Sequence, residues 1–118
     1  MMKADHMTEG SMTVKEMQTA VDRWIRSIGG GYFSELTNMV ILAEETGELA
    51  RIMARVYGDQ KAKPGDITDP VADMRGEMAD VLWVLLCLAN QTGIDLQEAF
   101  EETMRKKTLR DRDRFSRE

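Results

Sequence analysis

An unbroken run of nine apolar residues, Val81 to Ala89, is the feature that most constrains the fold of this chain. The run is about half as long as a membrane crossing requires. It follows without a breaker from Asp69-Pro70, a strong helix start in which Asp caps free backbone donors and Pro occupies the first turn. The sequence therefore predicts a helix from Pro70 to about Asn90, buried on all sides after Val81 as the central helix of a bundle would be.

Three further helices are predicted from capping residues and periodicity. Thr13 and Glu16 form a capping box that begins the first helix, near 14–28, and the glycines at 29–31 end it. The second helix runs from a cap at Ser34 to about Tyr57 and contains one glycine, Gly47. An internal helix glycine usually marks the close approach of a neighbouring helix or a ligand. The fourth helix spans about 96–108, after a second capping box.

Four helices with short connections and no useful β-type alternation predict an all-α domain of the antiparallel four-helix-bundle type. We place this domain at residues 13–118, after a polar leader at 1–12 that we expect to be poorly ordered. A domain of this size buries roughly two thirds of the surface that its unfolded chain exposes. We therefore expect the protein to form a homo-oligomer, a dimer or a tetramer, through shared helical faces.

Composition and charge exclude several classes of protein. The leader lacks the hydrophobic region of a signal peptide, and the only cysteine, Cys87, lies inside the apolar run. These features predict a cytoplasmic protein without a membrane partner. The net charge is -5, but residues 105–118 contribute +4 and residues 1–104 contribute -9. An acidic body argues against nucleic-acid binding, whereas the basic end suits phosphate groups.

Two pairs of acids are candidates for chemistry. Glu45 and Glu48 on the second helix, and Glu77 and Asp80 on the third, are each spaced i,i+3 and so share a helix face. Counted at 100° per residue, Glu45 and Glu48 border the apolar arc of their helix. Acids at the edge of a core repel one another and lose hydration, and a divalent cation relieves both effects.

The residue types narrow the choice of metal. Carboxylates without a histidine in the bundle suit Mg²⁺ or Mn²⁺ and disfavour zinc, since the single histidine, His6, lies in the leader. A di-iron bundle would need Glu-x-x-His motifs, which the sequence lacks. A solvated acidic helix face explains the same spacing, so the residues alone leave a metal site and a plain surface both open.

The acids also form a recognisable signature. The pattern E-E-x-x-E at 44–48 followed by E-x-x-D at 77–80 resembles that of the MazG-like all-α nucleoside triphosphate pyrophosphohydrolases. The resemblance extends over residues 13–116, and within the family the chain is similar to the short single-domain members, of the YpjD type. Besides the acids, it rests on Gly31–Ser34, Leu42–Ala50, Gly76–Leu85, Gly93–Leu96 and Lys106–Phe115.

The resemblance implies an enzyme that hydrolyses nucleoside or deoxynucleoside triphosphates to monophosphate and pyrophosphate, as in housecleaning of the nucleotide pool. It implies Mg²⁺, or Mn²⁺ in its place, on the four acids Glu45, Glu48, Glu77 and Asp80. Glu45 or Glu48 would take the proton of the attacking water, and Glu44 would support the site.

The resemblance also implies contacts to the rest of the substrate. Lys106 and Arg110 match a lysine and an arginine that reach the triphosphate, although Thr108 stands where members often have Asn. Tyr32 and Phe33 are candidates for base binding, whereas Trp24 and Trp83 are expected to pack in the core.

Two alternatives stay open at this point. One is a dedicated enzyme of the same superfamily, a dUTP/dCTP-type or a phosphoribosyl-ATP pyrophosphohydrolase. The other is a non-catalytic helical dimer that binds another protein through its methionine-rich surface. The latter explains the helices but not two acid pairs at the border of the core.

Overall fold

The computed structural model describes residues 10–60, 63–65 and 68–114, and within them the chain is all-helical with no strand. The helices are α1 (Val14–Ser27), α2 (Glu35–Tyr57), α3 (Pro70–Thr92) and α4 (Leu96–Asp111). This confirms the predicted class and every predicted helix start, and each end lies within three residues of its predicted position. Most of the predicted leader, with His6, and the chain after residue 114 lie outside the described residues.

The helices begin where their capping residues are. Thr13 Oγ1 accepts a hydrogen bond from the Glu16 backbone N–H at 3.1 Å, and the Thr13 N–H donates to Glu16 Oε1 at 2.8 Å, which confirms the capping box. Asp69 Oδ1 accepts from the N–H of Ala72 at 3.1 Å at the start of α3. At its other end Gly93 takes a φ of 72°, a left-handed conformation that glycine adopts without strain.

The two longest helices, α2 and α3, form the main packed pair, and α1 packs against α3. The last helix takes another course, since α4 leaves α3 at a bend of 103°. Its start is tied to α1 instead: the Lys15 N–H donates to Gln97 Oε1 at 3.0 Å, and the Leu96 N–H donates to Gln18 Oε1 at 2.8 Å. A single chain thus has three packed helices and a fourth that projects from them.

No single helix in the described ranges has the length and hydropathy to cross a membrane. Only α3 and α4 taken together have that length and hydropathy, and a bend of 103° separates them.

The core of the single chain is small. It centres on Val21, Leu86 and the free thiol of Cys87, which is buried as predicted. Around these residues pack five partly buried side chains, Val14, Met17, Ile25, Tyr32 and Leu96.

The prediction that α3 is buried on all sides is wrong for one chain. Leu82, Trp83 and Leu85 are 40%, 37% and 39% exposed. The reason is geometric: α2 and α1 cover two sides of α3, and α4 turns away from the third. The close neighbour expected at Gly47 is also missing among the described residues, because a Cβ added there would meet nothing within 4 Å.

Candidate metal centre and adjoining cleft

The packing of α2 on α3 brings three of the four predicted metal ligands together. Glu45, Glu48 and Glu77 each offer one carboxylate oxygen, and these oxygens lie within 4.8 Å of one another. Asp80 lies one helical turn beyond Glu77 and outside this group of three. Its charge still reaches the group, because it contributes to raising the pKa of both Glu45 and Glu77.

The acids destabilise one another's charged forms. Burial is the largest cause that raises the pKa of Glu45 above its ordinary value, and the charges of Glu48 and Asp80 add to it. Burial likewise raises the pKa of Glu77, followed by the charges of Glu48 and Glu45. Glu44 is exposed, and its charge also raises the pKa of Glu45. The cluster therefore has a deficit of positive charge.

Two oxygens of the cluster have no hydrogen-bond partner among the described residues. Oε1 of Glu45 and Oε1 of Glu77 are buried and take part in no hydrogen bond. A buried carboxylate oxygen without a donor is costly, and a hard cation supplies the missing interaction. The group holds neither a histidine nor a cysteine, so its chemistry fits Mg²⁺ or Mn²⁺ better than zinc.

A cleft of about 460 Å³ extends from the acids toward the connection between α1 and α2. Glu45 and Asp80 lie at one end of its lining, and the glycine turn 29–31, Tyr32 and Phe33 line the other parts. The rest of the wall is formed by Trp24, Ile25, Asn38, Ile41, Trp83, Val84 and Cys87. The cleft thus joins a negatively charged end to an aromatic one.

The two tryptophans pack against each other without being fully covered. Their rings meet edge to face, with centroids 5.3 Å apart. Trp24 is 43% exposed and Trp83 is 37% exposed, so the expectation of ordinary core packing is wrong for the single chain. Both rings leave surface on the cleft.

The glycine turn fits closely around Trp24. A Cβ at Gly29 would lie 2.8 Å from Cζ3 of Trp24, closer than side-chain atoms normally approach. Gly30 and Gly31 follow with φ values of 76° and 110°. Positive φ favours glycine, which explains why three glycines in succession end α1 and shape the cleft wall.

Both predicted base-binding residues line the cleft, in different ways. The Tyr32 hydroxyl donates to Asp22 Oδ1 at 2.6 Å and accepts from Asn90 Nδ2 at 3.1 Å. Burial and the bond to Asp22 raise the pKa of Tyr32 to about 12. Its hydroxyl therefore holds the turn in place, and the Arg26 guanidinium lies over its ring, 5.6 Å from the centroid. Phe33 is 65% exposed at the rim.

Sequence reasoning missed Asn38. This side chain is only 6% exposed and lines the cleft from α2. Its Nδ2 donates to Gln91 Oε1 at 2.8 Å, and Gln91 Nε2 donates to the Phe33 carbonyl at 2.6 Å. A signal was available: Asn38 precedes Ile41 and Glu45 by three and seven residues and so shares their helix face.

The predicted triphosphate ligands lie elsewhere in the chain. Lys106 and Arg110 are exposed on α4. Lys106 Nζ lies 3.9 Å from Glu102 Oε2, and Arg110 Nη2 lies 2.7 Å from Asp111 Oδ2. Neither side chain lines the cleft. Because α4 diverges from α3, one chain does not bring these cations to its own acids.

Comparison with known proteins places these features in context. Residues 33–115 match the model of the MazG nucleotide pyrophosphohydrolase domain. The uncharacterised protein YpjD of Bacillus subtilis is 46% identical over 105 residues, which cover 89% of this chain and 92% of YpjD.

Two solved structures share the fold. A crystal structure of YpjD from Bacillus subtilis, described as a candidate pyrophosphatase, matches with a TM-score of 0.71 at 43% identity, over 87% of this chain and 100% of that one. A Bacillus-conserved MazG protein, described as a nucleotide pyrophosphohydrolase, matches with a TM-score of 0.71 at 38% identity, over 89% of this chain and 99% of that one.

Proposed function

The chain belongs to the MazG nucleotide pyrophosphohydrolase family, and on that premise we propose that it hydrolyses nucleoside or deoxynucleoside triphosphates to monophosphate and pyrophosphate with Mg²⁺. One observation carries the proposal: the oxygens of Glu45, Glu48 and Glu77 converge within 4.8 Å where an aromatic cleft meets the acids. A charged, metal-binding end suits phosphates, and an aromatic end suits a base.

The three converging glutamates, with Asp80 beside them, are the residues that would hold the metal. Mn²⁺ would suit the same oxygens. When bound, the ion neutralises phosphate charge and lowers the pKa of a water molecule. The Oε1 atoms of Glu45 and Glu77 support this role, because no residue in the described part of the chain donates a hydrogen bond to them.

The acids differ in what they do for the reaction. Glu48 is exposed whereas Glu45 is half-buried, so Glu48 is the better placed to accept the proton of the attacking water and pass it to solvent. The water attacks the α phosphorus in line, and pyrophosphate leaves. Glu44 does not join the converging group, and we infer a supporting role for it beside Glu45, whose pKa its charge raises.

A homo-oligomer would complete the site. The chain has a radius of gyration of 17.9 Å, whereas a compact chain of its length would have about 13.5 Å. Large apolar side chains are exposed on every helix, among them Trp24, Leu36, Leu85 and Leu109. A second copy of the chain would cover such surface. It would also allow Lys106 and Arg110 of the projecting helix to reach the triphosphate of a neighbouring subunit.

Product analysis tests the position of cleavage. The purified protein is incubated with Mg²⁺ and each of the common and oxidised nucleoside and deoxynucleoside triphosphates, and the products are separated by ion-exchange chromatography. Cleavage between the α and β phosphates yields monophosphate and pyrophosphate. Turnover of many nucleotides indicates housecleaning, and one strong substrate indicates a dedicated enzyme. Release of nucleoside diphosphate and orthophosphate would contradict the proposal.

A further inference from the structure

The orientation of the Asn38 amide is fixed by its neighbours. Gln91 Nε2 lies 2.6 Å from the Phe33 carbonyl oxygen, and only a nitrogen donates there. Gln91 Oε1 therefore faces Asn38, and it accepts from Nδ2 at 2.8 Å. The other polar atom of the Asn38 side chain is Oδ1, and this network does not use it.

That oxygen has no partner within the described ranges. No donor there is bonded to Oδ1 of Asn38, although the side chain is only 6% exposed. Asn38 lines the cleft, and what remains exposed of it faces that space. Oδ1 is not among the fully buried oxygens without a partner, so it keeps access to the cleft, where a ligand group that carries a proton can donate to it.

The position of Asn38 suits the base end of a nucleotide. It lies seven residues before Glu45, which is about 10.5 Å along the axis of α2. With the phosphates at the acids, the other end of the substrate comes to lie beside Asn38 and the exposed ring of Phe33. Aromatic rings stack on any base, so they do not by themselves select one.

We propose, on the basis of the proposed function, that Asn38 Oδ1 selects the base by accepting a hydrogen bond from an exocyclic amino group. Nucleotides of cytosine and adenine would then be favoured over those of uracil and hypoxanthine, which carry a keto oxygen at the equivalent position. The amide cannot flip to accommodate the keto group, because Gln91 is held by the Phe33 carbonyl. Gln91 acts as a positioning residue for both Asn38 and Phe33.

Tryptophan fluorescence gives a direct binding assay. The chain has two tryptophans, and both line the cleft. Titration with dCMP against dUMP, and with dAMP against dIMP, is expected to show about tenfold tighter binding of the amino nucleotide, the size of one hydrogen bond with its partner left unpaired on mismatch. The same ratio is expected in kcat/KM for the corresponding triphosphates.

Substitutions then test the residues. Asn38→Leu is expected to bring both ratios to about one, with an unchanged circular dichroism spectrum. Gln91→Leu is expected to lower the ratios as well and provides a second variant should Asn38→Leu fail to fold. Gln60→Leu, the same change at an exposed position outside the cleft, is expected to leave them as in the wild type.

The outcomes separate this inference from the proposed function. Turnover of triphosphates with amino-to-keto ratios near one, or with ratios that Asn38→Leu leaves unchanged, overturns the role of Asn38 alone. Selective binding that depends on Asn38 without any turnover supports that role and overturns the proposed hydrolysis.

Discussion

Carboxylate oxygens of Glu45 and Glu77 approach within 4.8 Å of each other across the packed helices α2 and α3. On each residue Oε1 is buried and has no hydrogen-bond partner within residues 10–60, 63–65 and 68–114. Two acids in such a position weaken the fold unless a proton or a cation neutralises them. The Mg²⁺ that we propose for this site would supply that neutralisation.

The stability of the metal-free protein should fall as the pH rises above 4.5. The folded-state pKa values of Glu45 and Glu77 lie above their ordinary value of 4.5. Their stabilising contribution is fully present below that value and is lost as the pH rises through the raised values. Thermal unfolding in chelator measures this, and Glu77→Gln is expected to flatten the dependence. Glu101→Gln, on the exposed face of α4, serves as the control. If stability fell with pH as steeply in Glu77→Gln as in the wild type, the raised pKa of Glu77 would be contradicted.

Two glycine substitutions should have opposite effects. Gly29→Ala places a Cβ 2.8 Å from Trp24 Cζ3 and should destabilise the fold by about 1–2 kcal/mol. Gly47→Ala adds a Cβ that meets nothing within 4 Å in the middle of α2, and should stabilise the helix by about 1 kcal/mol. Urea unfolding monitored by circular dichroism compares the two. A stabilised Gly29→Ala would refute the close fit of the turn around Trp24.

The Tyr32 hydroxyl should tie the glycine turn to α1 and α3. Tyr32→Phe removes its bonds with Asp22 and Asn90 and is expected to cost about 1–2 kcal/mol. The wild type should show a tyrosine that ionises at about 12 in an ultraviolet titration, and the variant should lack it. Because that pKa is raised from 10.0, the contribution of Tyr32 is present below pH 10 and is lost as the pH rises toward 12. An unchanged titration curve in Tyr32→Phe would contradict this.

The open face of α3 should mediate self-association. Leu82 and Leu85 are 40% and 39% exposed in one chain, and charged residues there should oppose the burial of that face. Light scattering after size exclusion should give a multiple of 13.4 kDa for the wild type and a smaller mass for the double variant Leu82→Glu/Leu85→Glu. Thr19→Glu, at an exposed polar position of α1, should keep the wild-type mass. A wild-type mass of 13.4 kDa would show that the chain does not associate.

The local features of the fold could be predicted from sequence because they depend on neighbours in the chain. The capping residues Thr13 and Asp69 predicted the starts of α1 and α3, and Gly93 predicted the end of α3. The i,i+3 spacing predicted the two acid pairs, and Glu45, Glu48 and Glu77 of these pairs converge. The class of enzyme came from the resemblance, which the family match confirms.

What could not be predicted depends on contacts between distant residues. The amide network joins Asn38 to Gln91 across 53 positions, and no local pattern encodes it. The direction of α4 depends on two hydrogen bonds to α1: the Lys15 N–H donates to Gln97, and the Leu96 N–H donates to Gln18. For the same reason the sequence did not reveal that α3 has an open side in a single chain.

Pyrophosphate release with and without Mg²⁺ tests the central claim most directly. The wild type should release pyrophosphate from a nucleoside triphosphate only when Mg²⁺ is present, and chelation should stop it. Glu48→Gln, compared in the same oligomeric state, should lower kcat by about 100-fold or more if the carboxylate accepts the proton. A rate that neither the chelator nor Glu48→Gln changes would contradict a metal-dependent reaction at these glutamates.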